Sequence, residues 1–237
     1  MAGVTLIRGR RLPSSTLSPM DRLAFWTGRY AFKTALTADA VLGAQLVWRH
    51  RSVWMAVALG GIVTVLLRGW GVDGLASGWP PPFLTAGALA AVAGSRVLAR
   101  GGALELAGFS PVHPGIVVAG RFLGAVGLVA PVAFVWAVLG NPAASAEPQA
   151  WFRVELVSLA LVAVSMGLTV LVGPILAAAS LVSGLLLVTL TPLGLKPLFQ
   201  PNPGGGWVST VLFGVIVMSF GLAVSAFGVE LKGRSDG

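Results

Sequence analysis

The chain has 237 residues, of which 56% are hydrophobic and only 10% are charged, whereas soluble domains usually carry about 25% charged residues. Its mean hydropathy is +0.87, its formal net charge is +8, and it contains no cysteine, which excludes disulfides and thiolate metal sites. These values exclude an ordinary soluble globular fold and predict an integral membrane protein.

The N-terminal part divides into a predicted cytoplasmic tail, residues 1–20, and a predicted amphipathic helix, residues 21–48, that lies along the membrane interface. The basic stripe of this helix consists of Arg22, Arg29 and Lys33. The opposite, apolar face includes Ala35, Ala38 and Leu42. Such a helix presents cations to anionic headgroups and apolar side chains to the acyl boundary. A soluble cytoplasmic helix that packs on another subunit remains the alternative.

Six later stretches are apolar enough to cross a bilayer, which takes about 20 residues per helix. They run from Ser52 to Leu67, Phe83 to Ala99, Ile116 to Leu139, Val154 to Val172, Ile175 to Leu190 and Trp207 to Val229. Because lipid offers no partner for backbone polar groups, each stretch is predicted to be an α-helix. The prediction is an all-α membrane protein with a six-helix transmembrane domain at residues 49–229 and a cytoplasmic tail at 230–237. Gly173 and Pro174 predict a tight turn between the fourth and fifth helices.

Basic residues are distributed unevenly between the two sides of this predicted bundle. With both termini cytoplasmic, 13 of the 16 Lys and Arg residues lie on the cytoplasmic side. The three on the other side are Arg68, Arg153 and Lys196. Because cytoplasmic loops carry the excess of Lys and Arg in membrane proteins, the bias predicts this orientation.

Charged residues at membrane depth are candidate functional residues. Arg96 and Arg121 lie within a turn or two of the predicted cytoplasmic edge, so we expect both to extend toward the headgroups. Arg153 and Glu155 open the fourth helix. Glu155 is predicted to form an ion pair with Arg153 or Lys196, and contact with a substrate remains the alternative.

Gly120 and Gly124 form a G-x-x-x-G pattern in the third predicted helix. Such a pattern is typical of a close helix–helix contact in membranes. Chance spacing remains open, because the chain contains 32 glycines.

Motifs for catalysis are absent from the sequence. It contains no G-x-x-x-x-G-K-[ST] phosphate-binding loop, no H-E-x-x-H and no G-x-S-x-G. Its two histidines, His50 and His113, lie in separate loops and are expected to be solvated. We therefore predict no catalytic residue, no metal site and no cofactor in this chain.

The loop between the second and third helices has the most distinctive sequence. It reads from Arg100 through a Gly-Gly-Ala-Leu-Glu-Leu segment to Ser110-Pro111 and Pro114, and then continues to Gly120-Arg121. Residues Ala103 to Phe109 predict a short amphipathic helix that ends before Ser110-Pro111. A soluble partner that holds this helix could move both attached membrane helices.

These residues resemble the ABC-2 type transporter permease family, which has a Gly-Thr-Leu-Glu-Leu-like turn, a Ser-Pro-containing segment and a Gly-Lys/Arg pair entering the next helix. The matching positions are Gly102, Leu104, Glu105, Leu106, Ser110, Pro111, Val112 and Pro114, followed by Gly120 and Arg121. The chain departs from the pattern in two ways. Leu98, Ala99 and Arg100 stand where acidic residues are frequent, and Ala103 and His113 replace a Thr and a small polar residue.

The resemblance implies a permease subunit of an ABC exporter in the bacterial cytoplasmic (inner) membrane. Gly102 to Pro111, with His113 beside it, would form a coupling helix seated on a separate ATP-binding subunit. ATP and Mg would be bound by that partner, and a second membrane subunit, identical or paralogous, would complete the assembly. No nucleic acid is expected to bind.

Within this family the chain also resembles, more loosely, the haem-exporter permease of cytochrome c maturation. Members of that branch are similarly short, and the stretch from Leu123 to Gly140 of this chain is loosely similar to them. The N-terminal segment of this chain is longer. Two other classes stay open from the residues alone. One is a structural or channel-like subunit of a larger complex, and the other is a membrane-embedded lipid-modifying enzyme.

Overall fold

The computed structural model describes residues 35–69, 80–98, 113–140, 148–190 and 207–235, and within these ranges it contains seven helices and no β-strand. The helices are α1 (Ala35–Trp48), α2 (Arg51–Gly69), α3 (Pro80–Val97), α4 (Pro114–Gly140), α5 (Pro148–Val172), α6 (Pro174–Leu190) and α7 (Trp207–Ser235). Helices α2 to α7 lie where the six apolar stretches predicted helices. The predicted all-helical architecture is therefore confirmed for the described residues.

Three of the described helices, α4, α5 and α7, are long and apolar enough to cross a membrane. Their 27, 25 and 29 residues correspond to about 38–44 Å at 1.5 Å per residue, compared with about 30 Å for the hydrocarbon core of a bilayer. The other four contain shorter apolar segments. The structure thus indicates a membrane protein.

Four helices begin at a proline, namely α3 at Pro80, α4 at Pro114, α5 at Pro148 and α6 at Pro174. Proline suits the first helical position because its φ is already helical and the missing N–H would have no partner inside the helix. The prolines that interrupt the apolar stretches therefore fix where the helices start.

The turn between α5 and α6 is a single residue, as the sequence predicts. Gly173 has φ of 90°, and its N–H donates to the Thr169 carbonyl oxygen at 2.9 Å. The Gly173 carbonyl oxygen accepts from Ala177 N–H at 3.0 Å in the next helix. Glycine has no Cβ to clash in this left-handed conformation, so it can end one helix and lead directly into another.

Helices α3 and α5 form the centre of the bundle. Helix α5 packs on α3, α4, α6 and α7, while α3 packs on α2, α4, α5 and α6. Small residues on α3 allow this approach, and those with no exposed surface are Ala86, Ala90, Ala91, Ala93 and Ser95. The Ser165 hydroxyl of α5 donates to the Ala91 carbonyl oxygen at 2.6 Å, which joins the two central helices by a buried hydrogen bond.

Large apolar side chains are exposed along the outer helices. Examples are Ile175 and Leu176 on α6, and Ile216, Phe220 and Phe227 on α7. In water so large an exposed apolar surface would drive association. Around a bundle with membrane-length helices, these side chains are positioned to face acyl chains.

Candidate coupling site

The sequence predicts two sites, the basic stripe of the interfacial helix and the coupling helix, and most of their residues lie outside the described residues. These are Arg22, Arg29 and Lys33 of the predicted interfacial helix, and Gly102, Leu104, Glu105, Leu106, Ser110 and Pro111 of the predicted coupling helix. The side chain of Arg153 also lies outside them, as does Lys196. The structure does describe His113 and Glu155, the end of α3 and the start of α4, and so both flanks of the loop.

His113 forms the N-terminal cap of α4, immediately after the loop. Its side chain is exposed, and its Nδ1 accepts a hydrogen bond from Gly115 N–H at 3.1 Å. Its carbonyl oxygen accepts from Ile116 N–H at 2.9 Å. A side-chain acceptor at this position satisfies a backbone donor of the first helical turn. His113 therefore determines where α4 starts, and the His-Pro pair was a helix-start signal that sequence reasoning did not use.

Arg121 is the largest fully buried side chain in the described structure, with 1% of its surface exposed. Its Nη1 donates to the Val97 carbonyl oxygen at the end of α3, at 3.4 Å, and its Nε lies 3.8 Å from Asp39 Oδ1 on α1. The expectation that Arg121 extends to the headgroups is therefore wrong. The mostly buried Asp39 carboxylate and the Val97 carbonyl oxygen at the end of α3 hold the guanidinium inside the protein instead.

Asp39 carries the charge that balances Arg121. Its side chain is 16% exposed. Burial raises the pKa of Asp39, and the Arg121 guanidinium opposes that rise. Because a buried charge without a partner is strongly destabilising, each of the two residues requires the other at this position.

Three glycines bring the backbones of α1 and α4 into direct contact. A Cβ added at Gly43 would lie 2.7 Å from both Cα and the carbonyl oxygen of Arg121, and one at Gly120 would lie 2.6 Å from Asp39 Cβ. A Cβ at Gly124 would clash with backbone atoms of Ala40 and Ala44. The G-x-x-x-G pattern on α4 is thus a helix contact.

The face of α1 that makes this contact differs from the predicted apolar face. Gly43 and Val47 are buried, whereas Ala38 is exposed. The face of α1 that contains Gly43 packs on α4, because glycine has no side chain and lets the two backbones come closest. Helix α1 therefore packs on a membrane-length helix of this chain, in addition to any contact with lipid.

We call Asp39, Gly43, Val97, Gly120, Arg121 and Gly124 the α1–α4 junction. Arg121 connects three helices through its contacts with Asp39 and Val97. Two of these helices, α3 and α4, are the ones joined by the loop at residues 99–112. Arg121 therefore links α1 to the two helices that flank residues 99–112.

A second charged side chain, Glu155, lies near the start of α5. It is half-buried, and its Oε2 is buried without a hydrogen-bond partner. The predicted ion pair with Arg153 or Lys196 remains a prediction, because both partners' side chains lie outside the described part of the chain. Its neighbour Leu156 is buried against Gly214 of α7, so Glu155 lies at the edge of the α5–α7 contact.

Within the described residues, no group of three or more His, Asp or Glu side chains is arranged to hold a metal ion. Comparison of the chain with family models, curated proteins and solved structures gives no match. The family assignment from the loop residues therefore remains a prediction, and the α1–α4 junction is the structural feature on which a functional proposal can be based.

Proposed function

We propose that this chain is the membrane-spanning permease subunit of an ABC exporter and couples ATP hydrolysis by a separate subunit to substrate movement. In this proposal α2 to α7 are six transmembrane helices. Both termini and the loop at residues 99–112 face the cytoplasm of a bacterium. The Gly102–Pro111 segment is the coupling helix that an ATP-binding subunit grips, and a second membrane subunit completes the transporter.

The observation that carries this proposal is the connection of three helices by Arg121. A coupling segment transmits motion only if its flanking helices are held to the rest of the bundle. Arg121 binds the end of α3 through the Val97 carbonyl oxygen and pairs with Asp39 on α1. Because interfaces of this kind switch between discrete packings rather than deform continuously, movement of the loop would shift α1, α3 and α4 together.

The charged side chains of the junction are paired with each other. In this proposal energy is supplied by the partner, which binds ATP and Mg. Apolar spans of this type suit an amphipathic or apolar cargo.

The test uses the reconstituted complex and measures ATP turnover and transport together. We expect Glu105→Ala and Pro111→Ala to insert normally but to reduce transport per ATP hydrolysed by about tenfold or more, a loss of roughly 1.4 kcal/mol of coupling. Glu230→Ala, which removes an exposed carboxylate from α7, is the control and should transport normally. Normal coupling in both loop variants would show that the assignment of the coupling helix is wrong.

A further inference from the structure

The corner between α1 and α2 carries a concentration of positive charge. Arg49 and Arg51 are exposed on either side of His50, and Arg96 of α3 lies close enough to act on the His50 ring. We call Arg49, His50, Arg51 and Arg96 the arginine corner. Burial lowers the pKa of His50, and repulsion from Arg96 lowers it further. Within the described residues the corner therefore brings three arginines together.

One nitrogen of the Arg96 guanidinium lacks a hydrogen-bond acceptor in the part of the chain that the structure describes. The Arg96 Nε is buried and has no hydrogen-bond partner in the described structure. A buried guanidinium donor without an acceptor is destabilising. Arg96 as a whole is only partly buried, so an oxygen acceptor at the corner can approach the exposed part of its side chain.

Two tryptophans place this corner at the membrane interface. Trp54 Nε1 donates to the Trp48 carbonyl oxygen at 2.7 Å, and the two rings meet edge to face with centroids 5.3 Å apart. Both rings are nearly half exposed. Tryptophan is enriched at headgroup depth because its ring is apolar and its N–H is polar. We therefore expect the ring pair to lie at headgroup depth, which puts the neighbouring arginines at the level of lipid phosphates.

An exposed apolar stripe runs down α2 from the arginine corner. Met55, Leu59 and Ile62 follow Arg51 at helical spacing and are 62%, 57% and 55% exposed. From residue 51 to residue 62 the helix rises about 16 Å, which is close to the depth of one leaflet's hydrocarbon. The surface thus combines a cationic end with an acyl-length apolar track.

From this combination we propose that the arginine corner binds the phosphate headgroup of an anionic phospholipid whose acyl chains lie along Met55, Leu59 and Ile62. The phosphate oxygens accept hydrogen bonds from Arg96 and Arg51, and the guanidinium groups neutralise its charge. A soluble acidic partner or a free phosphate ion would use the cations but not the apolar track. This site differs from the predicted basic stripe at Arg22, Arg29 and Lys33, and it does not depend on the proposed transport function.

The experiment is native mass spectrometry of the full chain, purified in detergent, stripped of lipid and titrated with phosphatidylglycerol or phosphatidylcholine of identical acyl chains. We expect phosphatidylglycerol to be retained at least about fivefold better. Arg51→Gln and Arg96→Gln should each reduce the preference for phosphatidylglycerol over phosphatidylcholine by about fivefold, which is the contribution of one arginine near an anionic surface. Arg68→Gln, at the opposite end of α2, changes the net charge equally and should have no effect.

Two further experiments distinguish a bound phospholipid from a bound phosphate ion. Leu59→Asn should weaken retention of both lipids, because it alters the apolar track without altering the charge. Millimolar inorganic phosphate should fail to displace phosphatidylglycerol. Equal retention of the two lipids, full displacement by phosphate, or an equal effect of Arg68→Gln would each overturn the proposal. Arg51 is exposed, so Arg51→Gln keeps the test valid even if Arg96→Gln does not fold.

Discussion

A methyl group added at Gly43 should separate α1 from α4. The added Cβ would lie 2.7 Å from both Cα and the carbonyl oxygen of Arg121 and 3.1 Å from its carbonyl carbon. These are backbone atoms, which cannot rotate away as a flexible side chain could. To reach an ordinary contact of about 3.4 Å or more, the two helices would have to move apart by more than half an ångström.

The expected loss in stability follows from two opposing effects. Overpacking of a close contact typically costs about 1–3 kcal/mol, and alanine in place of glycine in a helix returns up to about 1 kcal/mol. Because the clash is with backbone atoms, we expect a cost in the upper part of that range, so that Gly43→Ala lowers the free energy of unfolding by about 1–2 kcal/mol. Gly127→Ala on α4 is the matched control, because a Cβ there meets nothing within 4 Å, and it should be neutral or slightly stabilising.

Two measurements can follow this change. Thermal unfolding in detergent gives the stability of the two variants relative to the parent chain. Because the chain has no cysteine, spin labels at Val41→Cys and Leu123→Cys, both exposed positions on α1 and α4, report the distance between the helices. We expect a longer and broader distance distribution for Gly43→Ala only. If Gly43→Ala and Gly127→Ala behave alike, the α1–α4 backbone contact does not exist as described.

Three further predictions concern charged groups. Asp39→Ala should lower the free energy of unfolding by about 2 kcal/mol, since it leaves Arg121 buried without its carboxylate, and adding Arg121→Met should recover most of that loss in a double-mutant cycle. Because the pKa of His50 is lowered from 6.5, the unfolded chain binds the proton more readily, so stability in lipid-free detergent should fall as pH drops below about 6.5. His50 Nδ1 accepts a hydrogen bond from Ser52 N–H at 3.3 Å at the start of α2, so His50→Asn, which keeps a side-chain acceptor there, should flatten this dependence. Glu155→Gln should keep or raise the melting temperature, since Oε2 has no partner in the described structure. A clear drop in the melting temperature would indicate that Glu155 forms an ion pair with a side chain outside the described part of the chain.

The sequence predicted the helices well because their determinants are local. Continuous apolar runs marked α2 to α7, and Gly173 with Pro174 marked the turn between α5 and α6. The prolines at four helix starts are equally local signals, although they were not used to place those starts. Each of these signals depends on the conformational preference of one residue or on the polarity of one short stretch. The G-x-x-x-G pattern was visible as well, although only the structure shows that its partner is α1.

The environment of Arg121 could not be predicted in the same way. Its position near a predicted membrane edge favoured contact with the headgroups, but the close approach of α1 at Gly43 encloses it. Asp39 lies far away in sequence, and neither its spacing nor its surroundings connects it with Arg121. The contact between Asp39 and Arg121 depends on how α1 and α4 pack in three dimensions, and no local pattern in a single sequence predicts that packing.

The central claim is that this chain couples to a separate ATPase, and co-purification tests it most directly. The tagged full-length chain would be extracted from its native membrane in mild detergent, after brief cross-linking, and every bound protein would be identified by mass spectrometry. The proposal predicts a stoichiometric subunit with a phosphate-binding loop, and Glu105→Ala or Pro111→Ala should reduce its recovery. Recovery of the chain without any ATPase, under conditions that retain other partners, would contradict the permease assignment.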